Sequence, residues 1–258
     1  MTTQTHTAVH VGDRSASGSL RVGDLLLRSG VDPVVSQTIG TAGLVFAGLS
    51  STPVSGGERT GMEWKRIDAV EPGDSARVYT VVTRVAVLDR GTELDRHVRV
   101  VDSLGNIREE GTETWSVPTT TAIRVDAGTD FCTGPWADAL VESLARESEF
   151  ADSLSTWDGT IGLRCTDGSS RSREIHLRIY RGRIIDVTRR TPHGATFVFT
   201  ASARAWIDLV TAERNDFMRR AIRGEFDSSG DGYEYLRLTK PLGIIVEHAR
   251  TIAKGTRA

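Results

Sequence analysis

The residues that stand out for acid–base chemistry are one carboxylate, Asp32, and the six histidines His6, His10, His97, His176, His193 and His248. Asp32 stands beside Pro33 and ahead of an apolar run. Buried at the mouth of an apolar pocket, its pKa would rise and it could move a proton. It could equally cap the helix that follows, a position Asp favours. His193 sits in the turn Thr191-Pro192-His193-Gly194, near the mouth of a possible cavity, and is the second candidate base. His6 and His10 lie in a polar, threonine-rich start, His97 in a hairpin, and His176 mid-strand, where an outward direction between Ile175 and Leu177 is expected. A surface or hydrogen-bonded structural role competes at each histidine.

Other machineries are missing from the sequence. It holds no G-x-S-x-G elbow, no phosphate-cradling glycine loop with lysine, no dinucleotide fingerprint after a strand and no His-Glu-x-x-His. Asp227-Ser228-Ser229-Gly230-Asp231 lacks the downstream glutamate and spacing of a calcium loop. The two cysteines, Cys132 and Cys165, have no Cys or His at metal-ligand spacing and are too few for a disulfide framework. No cofactor and no metal is expected.

The 258 residues are 38% hydrophobic and 26% charged, with a formal net charge of -2, as in a soluble globular protein. Near neutrality argues against nucleic acid or an anionic membrane as a partner. Lysine occurs only at Lys65, Lys240 and Lys254; this arginine bias suggests a GC-rich bacterial genome. The amino terminus lacks the apolar run of a secretory signal, and no stretch approaches the ~20 apolar residues that span a bilayer. A cytoplasmic location is expected.

Turn and linker compositions at 118–121, 126–130 and Gly134-Pro135 divide the chain. Before them, helices are expected over 22–28 and 34–49, the second rich in glycine, followed by a long strand over 76–88. Its alternation reads as two straight faces, the one with Tyr79, Val81, Thr83, Val85 and Val87 nearly all apolar. Segments 97–102 and 107–117 read as a hairpin turned by Asp102–Asn106. After the linker come a helix over 135–153, strands over 159–165, 173–180, 183–188 and 196–200, then helices over 201–213, 216–223 and 240–254.

Four motifs of the first part, in this order, resemble MaoC-type (R)-enoyl-CoA hydratases. Ser29-Gly30-Val31-Asp32-Pro33-Val34-Val35 resembles S-G-D-x-N-P-[LI]-H, with Val31 at the aspartate and Val35 at the histidine. Leu44 to Leu49 resembles I-A-H-G-M/L, with Ala47 at the histidine. Val70-Glu71-Pro72-Gly73-Asp74 resembles V-x-P-G-D, and Asp102 to Ile107 the N-Q-x-G-x-x-V hairpin. The resemblance covers residues 8–118 and implies a hot-dog domain, an antiparallel sheet around a central helix, paired as a homodimer. Valine cannot hold or deprotonate the water that the family adds to an enoyl thioester.

The second part is similar to the sterol carrier protein type two domain over residues 134–254, with 119–133 as linker. Its marks are Trp157 to Leu163, Leu177 to Gly182, Phe197 to Ser202 with Trp206 and Leu209, and Gly224-Glu225-Phe226 with Gly230-Asp231. The implied fold class is α+β, a hot-dog domain followed by a sterol-carrier-like α/β domain. The resemblance implies an apolar cavity, for which Phe197, Phe199, Trp206, Leu209, Phe217, Ile222, Phe226 and Leu236 are candidate lining residues; plain core packing competes at each.

The expected function is binding and sheltering of a hydrophobic acyl thioester, lipid or polyketide-like intermediate in bacterial secondary or lipid metabolism. The rival is an enzyme, a dehydratase, isomerase or cyclase, using Asp32 or a histidine in a repurposed pocket. A third reading is a scaffold that recruits biosynthetic partners. Expected partners are the hydrophobic ligand and a second copy of the chain, with no nucleic acid and no membrane span.

Overall fold

The computed structural model describes residues 9–21, 54, 56–69, 73–89, 91–117, 130–167, 171–189, 191 and 193–255. The chain divides into two compact units, Met1–Val125 and Asp126–Ala258. Its fold class is α+β, built from two separate sheets and a set of helices.

The first unit's sheet is formed by β1 (Arg14–Ala16), β2 (Leu20–Arg21), β3 (Glu58–Arg66), β4 (Ser75–Leu88), β5 (Gly91–Asp102) and β6 (Ile107–Val117). The order is β1-β4-β5-β6-β3, with β2 also on β4, and every pairing is antiparallel. The β5–β6 turn follows from its residue types. Asp102 Oδ1 accepts the backbone N–H groups of Leu104 and Asn106, and Gly105 takes a positive φ.

The straight alternation expected of β4 is corrected by a bulge between Val82 and Arg84. Ala76, Val78, Thr80 and Val82 share a buried face before it, and Val85 takes over that face after it. One extra residue reverses side-chain parity, which composition cannot signal. The expected helices over 22–28 and 34–49 lie outside the described residues.

The second unit opens with α1 (Gly134–Leu144). Thr133 caps it through its hydroxyl and proline stands in the first turn. The single helix expected over 135–153 is two: the chain turns after Leu144, and Glu147 caps α2 (Ser148–Ser153). β7 (Asp158–Asp167), β8 (Arg171–Tyr180), β9 (Arg183–Thr188), β10 (Phe197–Ser202) and β11 (Phe226–Gly230) form a sheet of order β11-β10-β7-β8-β9. β10 runs parallel to β7; the other pairs are antiparallel.

One face of this sheet buries Ile161, Leu163, Ile175, Leu177, Phe197 and Phe199. α3 (Ala203–Thr211) packs on that sheet through β7 and β10, followed in sequence by α4 (Phe217–Ile222), α5 (Gly232–Arg237) and α6 (Thr239–Gly255). α6 packs on α1 and α3 and buries Leu242, Ile245, Val246 and Ala249. Arg250 of α6 is also buried. Its guanidinium donates to the carbonyls of Leu209, Glu213 and Arg214, serving acceptors at and beyond the end of α3.

Candidate functional site

A cavity of about 370 Å³ opens in the second unit between the first two helices and the β8–β9 hairpin. Val141, Leu144 and Ala145 contribute from α1 and the turn after it, Phe150 and Ala151 from α2, and Gly182 and Ile184 from the hairpin. The hairpin approaches α2 closely because residue 182 is glycine. It has φ +80°, and a Cβ there would run into the backbone of Ala151.

Two charged residues, Glu147 and Arg183, complete the lining. Glu147 accepts the Glu149 backbone N–H at 3.1 Å and lies 3.4 Å from His248 Nε2. His248 Nδ1 is in turn 2.7 Å from Ser143 Oγ. Nucleophile, imidazole and carboxylate thus stand in a row, but Ser143 lies off the helix face that Val141, Leu144 and Ala145 present to the cavity. The row ties α6 to α1 and to the α1–α2 turn. The cavity itself is an apolar space with charge confined to two of its residues.

The candidate lining residues fall elsewhere. Phe197, Phe199, Trp206, Leu209, Phe217 and Phe226 are buried; the rings of Phe199, Trp206, Phe217 and Phe226 pack on one another, and Phe197 meets Tyr235 edge-on. Phe199 is the hub, stacked on Phe226 at 5.0 Å and edge-on to Phe217 at 5.1 Å and Trp206 at 5.9 Å. Ring-to-ring contact at these spacings is core packing. Ile222 and Leu236 lie on the surface of the described chain, 82% and 70% exposed. Both sit on six-residue helices, α4 and α5, whose inward contacts are made by Phe217 and Tyr235 on Phe199.

His193 is exposed in its turn. His176, expected to point outward, is 2% exposed. Its Nδ1 accepts the Thr191 backbone N–H at 3.0 Å, which leaves the proton on Nε2 to be donated to Glu174 Oε1 at 2.7 Å. Glu174 also accepts from Arg164, and although burial alone would raise its pKa, the bonds from Arg164 and His176 hold it below the usual carboxylate range. Both imidazole nitrogens are committed, so His176 is structural. Val31, Asp32, Val35 and Ala47 lie outside the described residues.

Sequence reasoning missed a second set of residues, in the first unit. Glu109 and Glu113 of β6 share a face with Trp115 and Val117, and both carboxylates are 0% exposed. Arg96 binds Glu113 through Nε at 3.0 Å and a terminal nitrogen at 2.6 Å; Arg59 adds 3.1 Å and the Trp115 indole 3.2 Å. Glu109 has no such set. Trp64 Nε1 donates to its Oε2 at 2.9 Å, while its Oε1 has no hydrogen-bond partner among the described residues. Burial pushes Glu109 up to about 7, against the opposing effects of the Trp64 bond and Arg66. The signal was present: alternation places both glutamates on the side of Trp115.

On the other face of the same strands, Glu110 is held at about 2, chiefly by His97, with Arg99 adding to the effect against burial. Among the described residues no group of three or more His, Cys, Asp and Glu is placed to hold a metal, and no helix is long and apolar enough to cross a membrane.

Two sheets of different register, an apolar cavity in one unit and a buried acid in the other, define an α+β chain of two units. Solved structures similar to it include both kinds that the sequence resembles. A crystal structure of sterol carrier protein 2 is 19% identical, covers 46% of this chain and 97% of its own, and has a TM-score of 0.41. Sterol carrier protein 2 from Yarrowia lipolytica is 18% identical over 46% of this chain and 93% of its own, with a TM-score of 0.34. The (R)-hydratase from A. caviae involved in PHA biosynthesis is 18% identical over 45% of this chain and 99% of its own, with a TM-score of 0.32. No family model and no curated protein matches the sequence.

Proposed function

We propose that this chain binds and shelters a hydrophobic molecule, an acyl thioester, lipid or polyketide-like intermediate of bacterial secondary or lipid metabolism. The observation that carries this reading is the cavity of about 370 Å³ with Val141, Leu144, Phe150 and Ile184 in its lining, which falls in the size range of small-ligand sites. Each Å² of apolar ligand surface removed from water there contributes about 25 cal/mol. Binding is favoured over chemistry because the nearby polar groups are engaged: Glu147 holds a helix cap and His248 holds Ser143.

In this reading residues 134–254 form the sterol-carrier-like lipid domain, 119–133 a linker, and 8–118 a hot-dog domain that pairs with a second copy. The chain works in the cytoplasm as a homodimer. Titration with a fluorescent fatty-acyl probe tests it, using the full chain and Ala145→Trp, which places a ring at the cavity from an exposed position. Saturable binding that weakens at least tenfold in the variant supports the reading. Equal binding by both proteins, or none by either, overturns it.

A further inference from the structure

Two charged residues stand in the lining of an otherwise apolar cavity, Glu147 and Arg183, and they differ in what they already hold. Glu147 accepts the Glu149 backbone N–H through Oε1 and presents Oε2 to His248 Nε2 at 3.4 Å, so both of its oxygens are engaged. Arg183 holds nothing comparable. Among the described residues its guanidinium makes no hydrogen bond and no ion pair. Two acids of the neighbouring elements are taken by other bases: Glu149 of α2 by Lys240, and Asp158 of β7 by Arg178.

The root of Arg183 is fixed by the turn that precedes it. Arg181 and Gly182 both take positive φ, 47° and 80°, and Gly182 lies against the backbone of Ala151, which sets the start of β9 beside α2. The other arginine of this turn does not compete for a ligand at the cavity. Arg181 lies over the Tyr180 ring, 5.4 Å from its centroid. One guanidinium with five donors, anchored in the wall of an apolar space, is suited to the oxygens of a carboxylate or a phosphate.

We propose that the cavity takes an amphiphile with an anionic head, a carboxylate or a phosphate, whose charge Arg183 holds while its chain lies against Val141, Leu144, Phe150 and Ile184. Resting on the sheltering function proposed for the same cavity, this narrows the ligand: a neutral ester of the same chain gains the apolar burial alone and leaves the guanidinium unmatched. Every lining residue belongs to the second unit and is described, whereas pairing with a second copy is assigned to the first.

The test displaces a neutral fluorescent alkyl probe from the full chain with three competitors of one chain length, a fatty acid, its methyl ester and an alkyl phosphate. Mildly alkaline buffer keeps the acid ionised. In the wild type the anions are expected to compete about tenfold or more better than the ester, with a ratio that narrows as salt is raised. Arg183→Gln is expected to bring that ratio close to one. Either order between the two anions supports the proposal and names the head group. An ester that competes as well as the anions, a ratio indifferent to salt, or a preference that survives in Arg183→Gln overturns the proposal and leaves the sheltering function standing. A probe that does not bind the wild type at all overturns the sheltering function, and the proposal with it. If Arg183→Gln fails to fold, the wild-type ratio and its salt dependence decide.

Discussion

In the second unit the sheet face beneath the helices carries Ile161, Leu177 and Phe199, whereas the first unit's sheet buries Arg96, Glu109 and Glu113 on the same face as Leu94 and Trp115. The second sheet places its charges on the opposite face, where Arg164, Glu174 and His176 satisfy one another. Burial by itself therefore does not distinguish the two sheets. They differ in whether the buried groups need partners, and hence in how each unit answers to mutation and to pH. An apolar face loses stability in proportion to the volume removed. A charged face holds only while each ion keeps its partner.

The largest effect expected from this difference is at Glu113. Glu113→Ala leaves the Arg96 guanidinium buried without its acid and should cost about 3–5 kcal/mol in denaturant unfolding of the full chain. Replacing both partners, Arg96→Met with Glu113→Leu, should recover much of that loss. Failure of the double variant to recover would mean that the pair contributes more than mutual compensation.

Next is Phe199→Ala in the second unit, expected to cost about 3–5 kcal/mol as a cavity at the hub of the aromatic cluster. Its signature differs from that of Glu113→Ala, since no second substitution of a partner should restore it. Gly182→Ala should cost about 1–3 kcal/mol, from its positive φ and the approach of Ala151, and it should reshape the cavity enough to weaken probe binding.

The pH dependence separates the units further. Glu109 has a folded pKa raised to about 7, so its contribution is complete below the unfolded value and is lost as pH rises from about 4.5 to 7. Asp102 and Glu110 act in the opposite sense. Hydrogen bonds from Asn106 and Arg108 outweigh burial to hold Asp102 at about 2, and His97 does most to hold Glu110 there. Their contribution is present at neutral pH and is lost as the solution is acidified toward 2. Thermal melts should thus show the first unit most stable in mildly acidic buffer. Glu109→Gln should remove the decline toward pH 7 and leave the acid limb intact.

The smallest effect serves as a control. Lys240 and Glu149 form an ion pair at 2.9 Å with both side chains largely exposed, so Lys240→Ala should change stability by less than about 1 kcal/mol. A larger loss would show that exposure is a poor guide to the strength of ion pairs in this chain.

Much of the framework was legible from local chemistry. The Asp102–Asn106 turn, the strands on either side of Arg181-Gly182 and the amphipathic α3 each carry their own signal, in an aspartate turn, a glycine with positive φ and apolar spacing. β11 and α5 were not legible. Phe226-Asp227-Ser228-Ser229-Gly230 has the composition of a loop, and it becomes a strand because β10 offers an open edge. The β4 bulge, and with it the exchange of faces at Val82, depends on pairing with β5 and leaves no local trace. At the candidate site, the apolar content of α1 was readable. The placement of the cavity on the hairpin side, and not inside the Phe199 cluster, was not, because that depends on how fully the rings fill their own space. Glu109 was readable in principle, since alternation from Trp115 puts it indoors, but a glutamate among the charged and polar residues of Arg108–Glu113 looks like a solvated face.

Native mass spectrometry of the freshly purified full chain tests the central claim most directly. A mass excess from a retained apolar molecule, released by organic solvent and absent from Ala145→Trp, is the expected result. A protein that arrives at its bare mass, stays bare after incubation with long-chain lipids and acyl thioesters, and yet converts an enoyl thioester would contradict it.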